Sequence, residues 1–142
     1  MYKKILVALD NSRADESLLP HVTELARLAG SQLLLIHVAD GFAARHFDQL
    51  KLAESEEMRM DRLYLEQHAQ ALIAQGLRVD VHLALGNPPA EILKAADANG
   101  CDLIAMTTHG HRFFADLIYG STITAVRHKS QVPVLLVRAA ER

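Results

Sequence analysis

Five short, mostly apolar segments, separated by segments with helical spacing, constrain the fold of this chain more than any other feature. Apolar runs of four to six residues without alternation are typical of strands buried on both faces of a sheet. Four segments are of this kind: 5–9, 33–38, 103–106 and 134–137. In the fifth segment, Val79, Val81 and Leu83 alternate with polar residues, which predicts a strand near an edge of the sheet.

The first two segments between these strands repeat apolar residues at helical spacing and end at glycine, as helices do. The first ends at Gly30, and Pro20 within it predicts a kink or a delayed start. In segment 40–75, the second half is predicted to be a helix that ends at Gly76. Its first half has weak periodicity and is predicted to form a mobile loop or lid.

The last two helices are predicted from their turns. Asn87 and Pro88 have the residue types preferred at a helix cap and at the first helical position. Gly120 is predicted to open the last helix, which continues through Ile123 and Val126.

Strands that alternate with helices predict one α/β domain over residues 1–142, with a five-stranded parallel sheet and four helical segments. Ligands of such sheets bind at the carboxyl ends of the strands, where the strand order reverses. The residues to search are therefore Asp10, 38–40, and those from Thr107 onward.

Composition narrows the function classes. The chain has 142 residues and a formal net charge of −2, and its single cysteine fits a reducing cytoplasm. No apolar run approaches the ~20 residues needed to span a membrane. Residues 103–142 carry a net charge of +3, against −5 for the rest of the chain. This asymmetry indicates a solvated basic face or an anion site. A polymeric nucleic acid is a poor candidate for the ligand, because the chain has no basic stripe interleaved with aromatic residues.

The turn after the first strand excludes several doubly wound families. Asp10-Asn11-Ser12-Arg13 contains no glycine, so it is not the G-x-G-x-x-G turn of dinucleotide-binding domains, and no Walker A loop is present. A phosphoacceptor receiver domain would need clustered acids here and a lysine after the fifth strand. Asp10 stands alone in this turn, and the fifth strand ends at Arg138.

A glycine-bearing turn follows the fourth strand instead. Gly110 ends a loop that leaves this strand, and Gly120 lies ten residues further on, followed by Ser121 and Thr122. Glycine lets a backbone approach a ligand closely, and the amides of a helix N-terminus attract phosphate. The alternative interpretation is a helix cap and an ordinary loop glycine.

Three stretches together resemble the universal stress protein family over nearly the whole chain. They are residues 1–10, residues 102–110 with their Thr-His-Gly turn, and Gly120-Ser121 with 132–138. The resemblance implies a three-layer fold of the adenine nucleotide alpha-hydrolase type with strand order 3-2-1-4-5.

The resemblance also implies a set of ligand-binding residues. The ATP-binding branch of the family carries G-x2-G-x9-G-[ST], and here the spacing is intact while Thr107 replaces the first glycine. Adenine is then expected at Asp10 and at the backbone around Ala8 and Val38. The adenosine is expected along Met106 and Thr107, and the phosphates at Gly110, Gly120, Ser121 and Thr122.

Two further departures from the family pattern leave the nucleotide open. Asn11 replaces the usual glycine after the first aspartate, and Phe113 stands where a small residue is common. The implied ligand is therefore ATP, ADP or AMP, with or without Mg²⁺.

The resemblance further implies a homodimer through antiparallel pairing of the fifth strands. A short apolar strand at an uncovered edge fits this assembly. The alternative is an edge blunted by Arg138 and the polar tail. The pairing strand would consist of Val134, Leu135, Leu136 and Val137.

Neither a metal site nor a catalytic residue is predicted. His109 and His111 have no carboxylate or thiolate nearby, and Asp10 has no evident second carboxylate beside it for phosphoryl transfer. The leading hypothesis is a cytoplasmic, non-catalytic homodimer that regulates by binding an adenine nucleotide. The alternatives are a slow ATPase or phosphotransferase in the same crevice, and an interaction module with an empty pocket.

Overall fold

A computed structural model describes the backbone of residues 1–40, 47–108 and 116–140, and the side chains of these residues except 40, 47–55 and 116–119. The described residues form nine elements in an alternating order. They are β1 (Lys4–Ala8), α1 (Asp15–Ala29), β2 (Gln32–Asp40), α2 (Phe47–Ala74), β3 (Val79–Gly86), α3 (Pro88–Ala98), β4 (Leu103–Thr108), α4 (Asp116–Lys129) and β5 (Val134–Arg138).

The strands form one parallel sheet in the order β3-β2-β1-β4-β5, as predicted. The central strand β1 pairs with β2 on one side and with β4 on the other, so the strand order reverses at β1. β3 lies at an edge, and its residues alternate in exposure as the sequence pattern predicts.

Two apolar clusters on opposite faces of the sheet make the predicted three layers. One cluster joins α1 and α2 to the sheet through residues such as Leu18, Val22 and Leu65. The other joins α3 and α4 to the sheet through residues such as Ile92 and Val126. Among the described helices, none is long and apolar enough to cross a membrane.

The predicted caps are confirmed where local chemistry defines them. Gly30 ends α1 in the left-handed conformation (φ 69°), and its N–H donates to the carbonyl of Ala26. The side chain of Asn87 accepts a hydrogen bond from the amide of Ala90 at 3.1 Å, and Pro88 takes the first position of α3.

The predicted delay of α1 at Pro20 is wrong. The helix begins at Asp15 and runs through Pro20, which is exposed. Proline removes one helical hydrogen bond, whereas the flanking side chains of Leu18 and Val22 are fully buried in the core. Packing of the apolar face therefore outweighs the missing bond.

The predicted loop or lid in the first half of 40–75 is wrong from residue 47 onward. α2 is 28 residues long and begins at Phe47, while 41–46 lie outside the described residues. The start of α2 is rich in Leu, Glu, Lys and Ala, which favour a helix without an apolar stripe. The apolar face expected in the second half, made by Leu65, Ala69, Leu72 and Ile73, is confirmed at the first three residues, which are buried, whereas Ile73 is 43% exposed.

The last helix also begins earlier than predicted. α4 starts at Asp116, so Gly120, Ser121 and Thr122 lie inside the helix and do not open it. A single glycine inside a helix costs only about 1 kcal/mol relative to alanine, which is too little to end a helix that packs on the sheet through Ile123 and Val126.

Candidate functional site

The carboxyl ends of β1, β2 and β4 bring several predicted residues to one place. In the sheet register, Ala8 lies beside Ile36 of β2, and Val7 lies beside Ala105 of β4. Ala8, Met106 and Val38 belong to the same packed cluster on the α3–α4 face. Asp10 follows β1 at this end of the sheet and therefore lies next to the point where the strand order reverses.

Burial separates the residues that a ligand can touch from those that it cannot. The side chains of Met106 and Thr107 are fully buried, and Ala8 is 4% exposed. Asp10 and Val38 are half-buried. A ligand at this end of the sheet therefore meets the side chains of Asp10 and Val38, whereas Met106 is buried on the same face as Val38 and Thr107 is buried on the opposite face of β4.

A buried carboxylate that the sequence interpretation missed shapes the turn around Asp10. Both oxygens of Asp15 accept backbone amides: from Asp10 at 2.8 Å, from Asn11 at 2.8 Å and from Ser12 at 3.3 Å. Asn11 adopts a left-handed conformation (φ 56°), which asparagine tolerates better than most residues. The signal in the sequence is an acidic residue in the first turn of α1.

Burial disfavours the charged form of Asp15, whereas the hydrogen bonds to its carboxylate favour it. The side chain is fully buried, and this burial raises the pKa of its carboxyl above the usual value, although the turn amides and Tyr64 act in the opposite direction. The hydroxyl of Tyr64 on α2 donates to Asp15 at 2.9 Å. Burial and the charge of Asp15 in turn raise the pKa of Tyr64.

The same turn is tied to β2 and α2 by a second set of contacts. The side-chain amide of Asn11 donates to Asp61 on α2 at 3.0 Å. His37 lies beside Leu9, with its Nδ1 at 3.0 Å from the Leu9 carbonyl and its Nε2 at 3.7 Å from Asp61. Since a carbonyl only accepts, Nδ1 carries the proton in this contact.

Asp10 itself is held within the turn. Its carboxylate accepts the hydroxyl of Ser12 at 2.8 Å. The second carboxylate that the sequence interpretation did not find beside Asp10 is Asp15, but the three turn amides and Tyr64 already occupy its oxygens. In the described parts of the chain, no group of three or more His, Cys, Asp or Glu side chains is arranged to hold a metal ion.

The α4 side of the site is open above Gly120. A methyl group added at Gly120 meets no described atom within 4 Å outside its own helix, and Gly120 and Ser121 are exposed. Thr122 is 3% exposed and faces the interior. The predicted residue Gly110, the histidines 109 and 111, and Phe113 lie outside the described residues.

One buried polar atom of β4 has no hydrogen-bond partner among the described residues. The hydroxyl of Thr107, the residue that replaces the first glycine of the family pattern, is buried and makes no hydrogen bond. Thr107 follows Ala105 by two residues and therefore lies on the α1–α2 face of β4. It lies across the sheet from Ala8 and Met106.

Two cavities in the described structure lie away from these residues. One, of about 450 Å³, lies between α2 and β3 and is lined by residues such as Glu66, Asp80 and His82. The other, of about 510 Å³, lies between α1 and α2 and is lined by residues such as Glu24 and His68. Neither cavity is lined by a residue of the predicted set. The candidate site is therefore defined by the carboxyl ends of the strands and not by one of these cavities.

Comparison with known proteins gives consistent results. A model of the universal stress protein family matches residues 1–138. Universal stress protein MJ0577 of Methanocaldococcus jannaschii is 29% identical, and the alignment covers 97% of this chain and 96% of that protein. The solved structure of hypothetical protein MJ0577 has a TM-score of 0.87 at 30% identity, covering 100% of this chain and 99% of that one. The universal stress protein from Archaeoglobus fulgidus in complex with dAMP has a TM-score of 0.67 at 26% identity, covering 96% and 98%.

Proposed function

The chain belongs to the universal stress protein family, and on that premise we propose that it is a cytoplasmic regulatory protein that binds an adenine nucleotide without catalysing a reaction. The observation that carries the proposal is the convergence of Asp10 and Val38 at the reversal of strand order, where doubly wound sheets bind ligands. The similar Archaeoglobus fulgidus protein, solved in complex with dAMP, supports an adenine nucleotide as the ligand.

The nucleotide lies across the carboxyl edge of the sheet in this proposal. Asp10 and Val38 contact the adenosine, above a floor made by Ala8 and Met106, whereas Thr107, on the opposite face of β4, does not line this floor. The phosphates extend towards Gly120 and Ser121 on α4 and, as the family pattern implies, towards Gly110. Thr122 is 3% exposed and faces the interior, so it does not contact them. Among the described basic residues of the last quarter, Arg138 ends β5 at its carboxyl end and favours an anion there, whereas Arg127 and Lys129 lie in the last turn of α4, away from Gly120.

The early start of α4 changes how the phosphates are recognised. In a helix that begins at Asp116, the amides from Gly120 onward donate to carbonyls within the helix, and only the first four amides lack such partners. Gly120 therefore contributes open space for close approach, and Ser121 contributes its hydroxyl. AMP, ADP and ATP all satisfy this arrangement, and any Mg²⁺ arrives on the phosphate oxygens.

A homodimer through β5 is part of the proposal. β5 is an edge strand, and Val134, Leu135, Leu136 and Val137 are all half-buried in the single chain. An apolar edge strand that is only partly covered invites pairing with a second copy.

The first experiment is to denature freshly purified protein and identify any released nucleotide by chromatography and mass. A stoichiometric adenine nucleotide supports the proposal, and the form released distinguishes ATP from ADP or AMP. If nothing is released, titration with ATP, ADP and AMP follows, and failure of all three to bind contradicts nucleotide binding.

Gly120→Val tests the phosphate side of the site. A Cβ atom at Gly120 meets no described atom within 4 Å outside its own helix, so the sheet should remain folded while the valine side chain fills the space next to the helix. We expect ATP affinity to fall at least tenfold. Thr124→Val, an exposed position one helical turn later, is the matched control and should leave affinity unchanged. Equal affinity for the two variants would place the phosphates elsewhere.

A further inference from the structure

In the turn between β1 and α1, the backbone amides bind a carboxylate of the protein itself. In many nucleotide-binding α/β folds, the amides of this turn hold ligand phosphates at a helix N-terminus. Here the amides of Asp10, Asn11 and Ser12 all donate to the carboxylate of Asp15. The place that a phosphate would take is therefore filled by a side chain of the protein.

This arrangement has a chemical consequence for any ligand. Its three amides are used, and two carboxylates, Asp15 below and Asp10 above, lie at the turn. A phosphate would meet repulsion there and few donors. An uncharged group that carries donors, such as a base amino group or a ribose hydroxyl, instead meets the half-buried carboxylate of Asp10.

Helix α2 holds this carboxylate from the opposite side. Tyr64 donates to the same Asp15 oxygen that accepts the amides of Asn11 and Ser12. Asp61, one turn earlier on α2, accepts from the side chain of Asn11. The conformation of the turn therefore depends on a residue of α1 and on two residues of α2.

We propose that Asp15, held by Tyr64, is a positioning and specificity-determining residue that makes the first turn accept the uncharged, donor-bearing end of a nucleotide and exclude its phosphates. The inference rests on the proposed function, which already places the adenosine at this turn, and it adds the residues that enforce this placement. It gives α2 a role in ligand recognition that neither the family pattern nor the predicted residues contain.

The test compares adenosine with ATP as ligands of the wild type, Asp15→Asn and Tyr64→Phe. In Asp15→Asn, an NH2 group replaces one acceptor oxygen and faces the turn amides, which are also donors. The turn therefore changes its conformation, and the side chain of Asp10 changes its position. We expect adenosine affinity to fall about tenfold, the size expected for loss of one charged hydrogen bond. ATP affinity should fall less, because the variant also removes the negative charge that excludes phosphate. The ratio of ATP to adenosine affinity should therefore rise at least threefold.

Matched controls exist for both variants. Asp102 also accepts two backbone amides, those of Lys3 and Lys4, but at the amino ends of the strands. Tyr2 is half-buried against the same apolar cluster as Tyr64. Asp102→Asn and Tyr2→Phe should leave both affinities and their ratio unchanged.

The outcomes separate this inference from the proposed function. A wild type that binds neither ligand contradicts the proposed function. A wild type that binds both, with Asp15→Asn lowering the two affinities by the same factor or not at all, overturns the inference. If Asp15→Asn does not fold, Tyr64→Phe decides: it removes one donor from the same carboxylate and should raise the ratio in the same direction, and an unchanged ratio overturns the inference.

Discussion

Two carboxylates accept backbone amides at opposite ends of the sheet, and their pKa values shift in opposite directions. Burial is the largest influence on both and raises the pKa of each. At Asp15 the burial is complete and dominates. At the less buried Asp102, the backbone hydrogen bonds of Lys3, Lys4 and Asp102 itself and the charge of the N-terminus together outweigh it, so the pKa of Asp102 lies below its usual value. The difference in exposure between the two carboxylates therefore decides whether the pKa is raised or lowered.

Asp102→Asn should lower the free energy of unfolding by about 1 kcal/mol at pH 7, since it weakens hydrogen bonds to a charged acceptor. Because folding lowers the pKa of Asp102 from 3.8, this stabilisation is present above pH 3.8 and is lost as the pH falls through the folded-state value. Urea denaturation of both proteins between pH 7 and pH 3 measures the difference, which should shrink below pH 3.8. A difference that grows towards low pH would contradict the assignment.

Asp15 shows why single residues of the site escape a sequence interpretation. An aspartate in the first turn of a helix is an ordinary preference, and nothing local indicates that it is fully buried. Its burial depends on Tyr64, 49 positions away. Asp10 and Val38, by contrast, were predictable because a residue that follows a buried strand in such a fold lies at the ligand-binding edge.

At the scale of elements, boundaries were predictable where a local signal defines them. The start of α3 and the end of α1 have a capping side chain and a left-handed glycine, and both are where the sequence indicates. Ala14 precedes α1 without any side-chain cap, and Asp15 supplies hydrogen bonds to the turn instead. The start of α1 therefore could not be predicted from a capping residue.

Asn87→Ala should lower the free energy of unfolding by about 1 kcal/mol, because the amide of Ala90 loses its side-chain acceptor. Asn87→Ser keeps an acceptor and should restore most of this loss. Chemical denaturation of the three proteins measures the effect. Equal losses for alanine and serine would show that the cap does not contribute.

Pro20→Ala should raise the free energy of unfolding by about 1 kcal/mol. Alanine supplies the N–H that donates to the carbonyl of Glu16 in α1, and the gain is reduced because proline also restricts the unfolded chain. His21→Ala, at the neighbouring exposed position, is the control and should have a smaller effect. A destabilised Pro20→Ala variant would mean that the proline ring makes a favourable contact in the native helix.

At the scale of the whole molecule, the backbone of β5 defines how a second copy would pair. Ile104 donates to the carbonyl of Pro133, and Ala139 donates to Thr108. Odd-numbered residues of β5 therefore direct their N–H and C=O groups towards β4, and the alternate residues, Leu136 among them, direct theirs towards the open edge.

Leu136→Pro should convert the proposed homodimer into a monomer, because it removes a donor from the open edge and leaves the bonds to β4 intact. Leu136→Ala keeps the N–H and should remain a dimer. Light scattering coupled to size-exclusion chromatography measures the mass, and circular dichroism verifies the fold. A wild type with the mass of one chain would contradict the dimer, and a dimeric Leu136→Pro variant would place the interface elsewhere.

Nucleotide binding should stabilise the whole domain. At 100 times the dissociation constant, a ligand specific for the folded state adds about 2.7 kcal/mol to the free energy of unfolding. Denaturation of the wild type with and without ATP measures this gain, and Gly120→Val at the same ATP concentration should show about half of it or less, as a tenfold or larger loss of affinity requires. A wild type whose stability is unchanged by saturating ATP would favour the interaction module with an empty pocket.

The sequence by itself determined the strands, their order of succession and the end of the sheet where we propose that a ligand binds. These follow from local periodicity, from helical connections long enough to join parallel strands, and from a family pattern whose spacing survives the replacement of glycine by Thr107. Only the tertiary structure decided where α1, α2 and α4 begin, that Met106 and Thr107 are buried, and that Asp15 fills the first turn. Each of these depends on contacts between residues far apart in the chain, whose energies no local pattern encodes.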